Sequence, residues 1–323
     1  MKIVSNAALS KVGIVICCLL VLSSCHPRSY ILEPKISYSP QRRQFESQPS
    51  PFNNLSPNEL KQEWGKEMKI AIAFARELDL YRAITGFKRA TILMPLDQND
   101  RRLQAEFSIV QCYYLGKKYQ DAVETFEFSQ LPSVPSSFPA FRELLIILYD
   151  SYQKVGQCEK AEAILSLMEK GDPETALDLQ LFSAIDGGYL SCMSSLASSH
   201  PHCEDFSQFF NQYCCCSKSA RKAQTLNALL PGAGYYYVGQ KRSAITSFIL
   251  NAAFIAASYH FFERGNWGAG LITTSLEFGW YFGGINGAGL AAKEYNQHVY
   301  QEFGKNLLLK RQLFPVLMLE TSF

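Results

Sequence analysis

The chain has 323 residues, a formal net charge of +2 at pH 7 and 47% hydrophobic residues. A charge this close to neutral provides no basic surface of the kind that binds nucleic acid, so we expect no nucleic-acid partner. The length predicts about two domains. The last third of the chain is much more apolar than the middle, which indicates that the two parts fold in different surroundings.

Residues 1–24 have the layout of an export signal. A basic start with Lys2 and Lys11 precedes residues 12–22, an uncharged apolar run that is too short to span a bilayer as a helix. The run closes with a Leu-Ser-Ser-Cys motif that ends at Cys25 and resembles the lipobox of bacterial lipoproteins. This resemblance implies cleavage before Cys25, a lipid on its thiol and a place in the bacterial cell envelope. The alternative is an ordinary signal with a chance cysteine.

Residues 25–57 are rich in Pro, Ser, Gln and Arg, and few apolar residues recur there at helical spacing. Such a composition is typical of chains that cannot bury enough apolar surface to fold. We therefore predict a disordered tether that holds the next domain away from the membrane.

Residues 58–216 carry a helical pattern that repeats. The Ser-Pro-Asn-Glu sequence at residues 56–59 is typical of a helix start. An alanine followed by a large apolar residue then recurs every 39 residues, as Ala83 and Phe87, Ala122 and Phe126, and Ala161 and Leu165. The small residue lets two helices of a hairpin approach closely, and the large one fills the space against the next hairpin. Gly116 and Gly156 are predicted in the turns between paired helices.

This pattern resembles the tetratricopeptide repeat (TPR), a helix–turn–helix unit of about 34 residues. The resemblance implies an all-α chain in which helical hairpins stack into a solenoid, with longer loops between repeats. The alternative is a helical bundle without superhelical order. In repeats of this type the first helix of each hairpin lines the partner-binding face. Alignment on the matched positions places there Arg76, Gln111, Tyr114, Asp150 and Gln153.

Residues 223–300 predict a helical membrane module. Residues 243–262 carry no charge, residues 263–266 form a polar turn, and Glu277 is the one charge in residues 267–292. Two apolar runs of helix length joined by a short turn indicate a transmembrane hairpin, and the alternative is a soluble, Gly-rich helical core. Residues 301–323 would follow as a C-terminal tail.

A glycine motif precedes the hairpin and resembles that of bacterial two-helix membrane modules with the sequence Leu-Pro-Gly-x-Gly-x-x-Tyr-x-Gly. The matching residues are Leu230, Pro231, Gly232, Gly234, Tyr237 and Gly239. The resemblance implies an architecture and no particular activity.

Within the second apolar run, small residues recur at every fourth position. They are Gly279, Gly283, Gly287 and Ala291, a spacing that lets helices pack closely in lipid and that makes a homo-oligomer through the hairpin possible. Glu277 lies off this ridge, at a depth similar to that of Asn251. We predict a hydrogen bond between Glu277 and Asn251, because an intramembrane carboxylate needs a partner.

Exported chains retain disulfides, so we predict a bond from Cys203 to one of Cys214, Cys215 and Cys216. A zinc site that adds His200 and His202 is disfavoured, since adjacent cysteines seldom bind one ion together. The sequence has no nucleophile elbow, phosphate loop or dinucleotide fingerprint. We expect no metal, no cofactor beyond the lipid on Cys25, and no enzymatic activity.

Together these patterns predict an envelope scaffold or adaptor that is anchored in a membrane and binds another envelope protein through TPR-like repeats. Two alternatives stay open: a membrane-active or transport-related protein that works through its hairpin, and an accessory lipoprotein in outer-membrane assembly. Basic residues flank the hairpin on the side that a lipidated Cys25 would place outside the cytoplasm. This placement conflicts with the rule that basic flanks stay in the cytoplasm. Three explanations stay open: residues 223–240 also cross the membrane, the hairpin lies in an outer membrane that the rule does not govern, or the signal is not cleaved.

Overall fold

The computed structural model describes residues 34–42, 45 and 48–323. The predicted signal, the lipid site Cys25 and the first part of the predicted tether lie outside these residues. The secondary structure across the described part of the chain is helical and includes no strand, so the all-α prediction is confirmed.

Residues 63–216 form a series of antiparallel helices, each packed on the next along the chain. They are α1 (Glu63–Arg76), α2 (Leu80–Leu93), α3 (Asn99–Leu115), α4 (Tyr119–Glu127), α5 (Phe141–Val155), α6 (Cys158–Gly171), α7 (Pro173–Asp186), α8 (Leu190–Ala197) and α9 (Cys203–Cys216). Short 3₁₀ turns at Glu59–Lys61 and Leu131–Ser133 fill two of the connections.

The turns inside the hairpins repeat in backbone geometry. Leu78, Lys117 and Gly156 each have a positive φ, and they recur at the 39-residue interval of the sequence pattern. In each turn the following amide bonds back to a carbonyl five residues earlier, as Lys118 N does to Tyr113 O at 2.9 Å. This bond satisfies carbonyls at the helix end. Gly116 and Gly156 both lie in the turns, as predicted. Gly116 has a negative φ, and the left-handed position of that turn is taken by Lys117.

The alanines of the repeat are buried where paired helices cross. Ala83, Ala122 and Ala161 are fully buried, which agrees with the close approach that the sequence predicted. Of the large residues, Phe87 is fully buried, whereas Phe126 and Leu165 are only half-buried. Among the described residues, the one ring in contact with Phe87 is that of Phe323, near the end of the chain, so the predicted role of the large residue between hairpins stays a prediction.

The segment before α1 packs against the helices instead of extending away as a free tether. Phe45 is fully buried, and Phe52 contacts the rings of Phe107 and Phe138 at centroid distances of 5.8 and 5.6 Å. Arg101 of α3 donates to the carbonyls of Asn53 and Asn54 at 2.7 and 3.0 Å. For the described residues of this segment (34–42, 45 and 48–57) the disordered-tether prediction is therefore wrong, because scattered apolar residues pack against the helices without helical periodicity of their own.

The last third comprises α10 (Ala220–Leu229), α11 (Ala233–Val238), α12 (Lys241–Glu263) and α13 (Trp267–Lys310). At 10 and 6 residues, α10 and α11 are too short to span a bilayer. Residues 223–240 therefore do not form an additional membrane-spanning helix. Among the described helices, α12 alone is long and apolar enough to cross a membrane by length and composition.

Helix α13 is 44 residues long and continues through the predicted module boundary at residue 300. Its first half pairs with α12, and its second half packs on α9 and α7. Tyr300 there is fully buried, and its hydroxyl donates to Ile185 O at 2.9 Å. Residues 311–323, which we call the return segment, then run back over the repeat helices with a 3₁₀ turn at Pro315–Leu317.

Candidate binding face of the helical repeats

The return segment lies on a surface built from the first helices of the hairpins, α1, α3, α5 and α7, which we call the repeat face. Its apolar side chains Leu313, Phe314, Leu319 and Phe323 are almost fully buried. The segment before α1 covers the same face, since Ser322 N donates to Pro49 O at 2.9 Å and Gln48 Nε2 donates to Leu319 O at 2.6 Å. The repeat face thus binds two segments of this chain that lie outside the hairpins.

Two arginines of the repeat face hold the return segment by its main chain. Arg76, at the end of α1, donates from Nη2 and Nε to Phe323 O at 2.8 and 3.1 Å. Arg142, in the first turn of α5, donates to Met318 O at 2.9 Å and is itself oriented by Asp172 at 3.0 Å. These bonds reach main-chain oxygens of the return segment, and Arg142 also pairs with the Glu320 side chain at 3.5 Å.

Two aromatic rings fix the ends of the return segment. Phe314 stacks on Tyr38, with centroids 5.3 Å apart, and contacts Phe182 of α7 at 5.8 Å. Phe323 stacks on Phe87 of α2 at 6.5 Å. The arginines therefore supply binding to the main chain, and the two aromatic contacts supply selectivity for the side chains at either end.

The predicted binding residues Tyr114 and Asp150 meet in the centre of the face. The Tyr114 hydroxyl donates to Asp150 Oδ2 at 2.9 Å, and both residues are buried. Burial raises the pKa of Asp150 to about 6, although Lys154 and the Tyr114 hydrogen bond lower it. A cavity of about 240 Å³ lies beside this pair, between Tyr38 of the leading segment and Phe314 of the return segment.

The other predicted residues also belong to the first helices. Gln111 lies one turn before Tyr114 on α3 and is fully buried, yet neither amide atom has a hydrogen-bond partner among the described residues. Leaving such a group unpaired costs on the order of 1–3 kcal/mol. Gln153 is half-buried near the end of α5. Four of the five predicted positions are thus covered or engaged within the chain, and a partner reaches them only after a rearrangement.

The glycine motif closes the junction between the repeats and the hairpin. Gly232 has a φ of 92°, its N–H donates to Asn227 Oδ1 at 2.9 Å, and a Cβ there would lie 2.3 Å from Ala244 O. A Cβ on Gly234 would lie 2.2 Å from Ala223 O. The ring of Tyr237 carries the ammonium groups of two lysines, Lys218 at 5.3 Å and Lys222 at 5.1 Å. The motif therefore lets α10, α11, α12 and α13 converge at backbone distance.

The small-residue ridge packs in one half only. Gly287 faces the Tyr235 hydroxyl, and Ala291 is buried with Ala223 and Val238 in the junction core. A Cβ built on Gly279 or Gly283 would meet nothing within 4 Å. The prediction of close helix packing along the whole ridge is therefore wrong within one chain, because α12 diverges from α13 at these two positions.

The predicted bond between Glu277 and Asn251 is absent from the described structure. Asn251 Nδ2 donates instead to Ser247 O of its own helix at 2.6 Å. Glu277 Oε2 and Asn251 Oδ1 are both buried without a partner in this part of the chain. The Ser247 carbonyl, one turn earlier in the same helix, is always within reach of the Asn251 amide. This local hydrogen bond therefore competes with a bond to Glu277 of the other helix.

The cysteines predicted to form a disulfide are free thiols. Cys203 begins α9, and Cys214, Cys215 and Cys216 end it, so Cys203 and Cys214 are about 16 Å apart along the helix axis. A disulfide requires Cα atoms within about 7 Å, so this bond is sterically excluded. His200 is engaged otherwise, with Nε2 at 3.1 Å from Asp178 and Nδ1 accepting from His202 N. The described residues include no cluster of metal ligands.

The sequence patterns did not reveal the return segment or three of the residues that anchor it, namely Arg142, Phe314 and Phe323. The dense apolar run at residues 313–319 was the available signal, but it has no helical or strand period. No family model matches this chain, and neither a curated protein nor a solved structure shows significant similarity to it.

Proposed function

We propose that this protein is an adaptor of the bacterial cell envelope, lipidated at Cys25 and inserted in a membrane through α12 and the first half of α13. Its stacked hairpins form a TPR-like solenoid that binds another envelope protein on the repeat face. The observation that carries this proposal is the repeat face itself, which already binds the return segment by arginine bonds to main-chain oxygens and by aromatic contacts.

The surface of the hairpin supports the membrane part of the proposal. Large apolar side chains are exposed around both helices, namely Ile245, Phe248, Ile249, Ile255, Trp267, Leu271, Ile272, Leu276, Phe278 and Phe282. Soluble monomers rarely expose contiguous apolar patches of more than a few hundred Å². Basic residues lie at the end of the hairpin away from its turn, where they would meet lipid headgroups. They are Lys218, Arg221, Lys222, Lys241 and Arg242.

Crosslinking in native membranes tests the adaptor proposal. A photoreactive amino acid at Lys69, an exposed position of α1 beside Phe323, should yield a crosslink to one discrete envelope protein. The same probe at Tyr81, which is 83% exposed on α2 outside the face, should not. Equal crosslinking at both positions, or none at Lys69, would rule out the repeat face as the partner site.

One observation favours a transport-related function as second candidate. Glu277 Oε2 is buried in α13 with no hydrogen-bond partner among the described residues. Such a carboxylate is costly unless it serves a function. If the hairpin moves protons or ions, Glu277→Gln abolishes that flux in reconstituted vesicles, whereas an adaptor tolerates the change and keeps the Lys69 crosslink.

A further inference from the structure

The return segment makes contacts that another peptide of similar chemistry and backbone shape would reproduce. Both arginine clamps donate to main-chain oxygens, at Met318 and at Phe323. Between them the Leu319 carbonyl accepts from Gln48. Main-chain contacts give affinity with little dependence on sequence and leave side-chain selectivity to a few pockets.

The side-chain requirements of the repeat face are few and sit at the two ends. One aromatic ring is bound at Tyr38 and Phe182, and a second is bound at Phe87, nine positions further along the segment. Glu320 lies between the clamps and is mostly exposed, although it forms an ion pair with Arg142 at 3.5 Å. A ligand of this face is thus an apolar peptide with an aromatic residue near each end and a short turn like that at Pro315–Leu317.

The segment reaches the face from a fixed point. Lys310 Nζ pairs with Asp205 of α9 at 3.0 Å, and Arg311 pairs with the same carboxylate. Gln312 follows as an exposed turn residue with a φ of 55°, and burial begins at Leu313. Because its start is fixed, the return segment acts at a high effective concentration, on the order of millimolar for a short connection.

We propose that the return segment is an intramolecular occupant of the partner site, and that the partner presents an apolar peptide with a similar short turn and two aromatic residues that displaces it. This inference rests on the proposed adaptor function and adds the class of ligand and a mode of autoinhibition. The partner peptide takes over the main-chain bonds of Arg76 and Arg142 and the ring contacts at Phe87 and Phe182.

The test uses the full-length chain in detergent and a fluorescent peptide with the sequence of residues 313–323. Phe314→Ala with Phe323→Ala removes both rings from the occupant and leaves the face unchanged. This variant should bind the peptide at least tenfold more tightly than the wild type, since each lost aromatic anchor weakens the competing occupant. Gln312→Asn, at an exposed position just before the buried part of the same segment, is the matched control and should have less effect.

A second pair of variants tests the face itself. In the chain with the weakened occupant, Arg76→Ala should reduce peptide affinity at least tenfold. Arg89→Ala, which removes an exposed arginine paired with Glu67 in the same hairpin, should leave it unchanged. The inference is overturned if the peptide binds the wild type and the Phe314→Ala, Phe323→Ala variant equally well, or if Arg76→Ala leaves its affinity unchanged.

A cleavage experiment covers the case in which the ring variants misfold. A protease site introduced at Gln312 allows the segment to be cut from the folded wild-type face. The labelled peptide should then replace the cut segment while circular dichroism shows the helices intact. If the labelled peptide replaces the cut segment only when the whole chain unfolds, the segment is a permanent part of the core. If the cut segment of one chain instead binds the face of another and forms dimers, the ligand is a second copy of this chain. Either result overturns the inference, and the Lys69 crosslink still tests the adaptor function separately.

Discussion

Asp150 shows at the scale of single residues how the repeat face is organised. Its carboxyl is buried beside Tyr114 and accepts the tyrosine hydroxyl, while Lys154 nearby pairs with Asp186 at 2.5 Å. The first helices of the hairpins were predicted to present these side chains to a partner. The structure keeps them on that side but covers them, so charge reversal at Asp150 would test folding and not binding.

Asp150 predicts a pH dependence of stability. Its pKa of about 6 in the folded chain exceeds the usual 3.8, with burial as the largest cause. The folded state therefore binds this proton more tightly, and stability falls as pH rises from about 4 to about 6, by on the order of 3 kcal/mol for this group. Asp150→Asn should remove that fall in urea unfolding followed by circular dichroism.

The control for this prediction is Asp121→Asn, at an exposed carboxylate of α4. It should leave the pH profile of the free energy of unfolding as in the wild type. A profile of Asp150→Asn that still falls between pH 4 and pH 6 would show that another group carries the dependence.

At the scale of elements, two of the three glycines of the motif are closely packed, whereas Gly279 and Gly283 of the ridge on α13 have no neighbour within 4 Å. Gly234 is helical and enclosed by the backbone of α10, whereas Gly283 is helical and open. Spacing revealed both sets of small residues but did not reveal which of them face another helix. That information depends on how α12 and α13 diverge, which no local pattern encodes.

Two glycine variants test this difference. Gly234→Ala should destabilise the junction by about 2 kcal/mol or more, because its Cβ would overlap Ala223 O. Gly283→Ala should be neutral or stabilising by up to about 1 kcal/mol, since alanine favours the helix and meets no neighbour. Thermal unfolding in detergent measures both.

The Gly283 variant also tests association of the hairpin. If the open half of the ridge packs against a second copy in the membrane, Gly283→Leu should abolish dimers detected by crosslinking, while the monomer stays folded. A dimer that survives this substitution would place the contact between copies elsewhere.

At the scale of the whole molecule, α13 connects the two parts of the chain. Its first half forms the exposed apolar hairpin with α12, its second half packs on α7 and α9, and the return segment follows directly. The 39-residue period predicted paired helices, and the left-handed turn residues Leu78, Lys117 and Gly156 recur at the same interval, although only Gly156 of these was predicted in a turn. The return segment and the packed leading segment could not be predicted, because their contacts join residues far apart in sequence and have no period.

The exposed hairpin predicts membrane retention that does not depend on the lipid. With Cys25→Ala and a conventional cleavage site, the full-length chain should stay in the membrane fraction after carbonate extraction. Cys25→Ser in the natural signal should separately block lipid labelling and cleavage. Recovery of the lipid-free chain in the soluble fraction would show that α12 and α13 are not embedded.

The central claim is that the repeat face binds an envelope protein in place of the return segment. Membranes that carry the photoreactive residue at Lys69 are irradiated with and without an excess of the peptide 313–323. We predict that the peptide abolishes the crosslink to the partner, whereas a scrambled peptide does not. A crosslink of unchanged yield in the presence of saturating peptide would contradict the account.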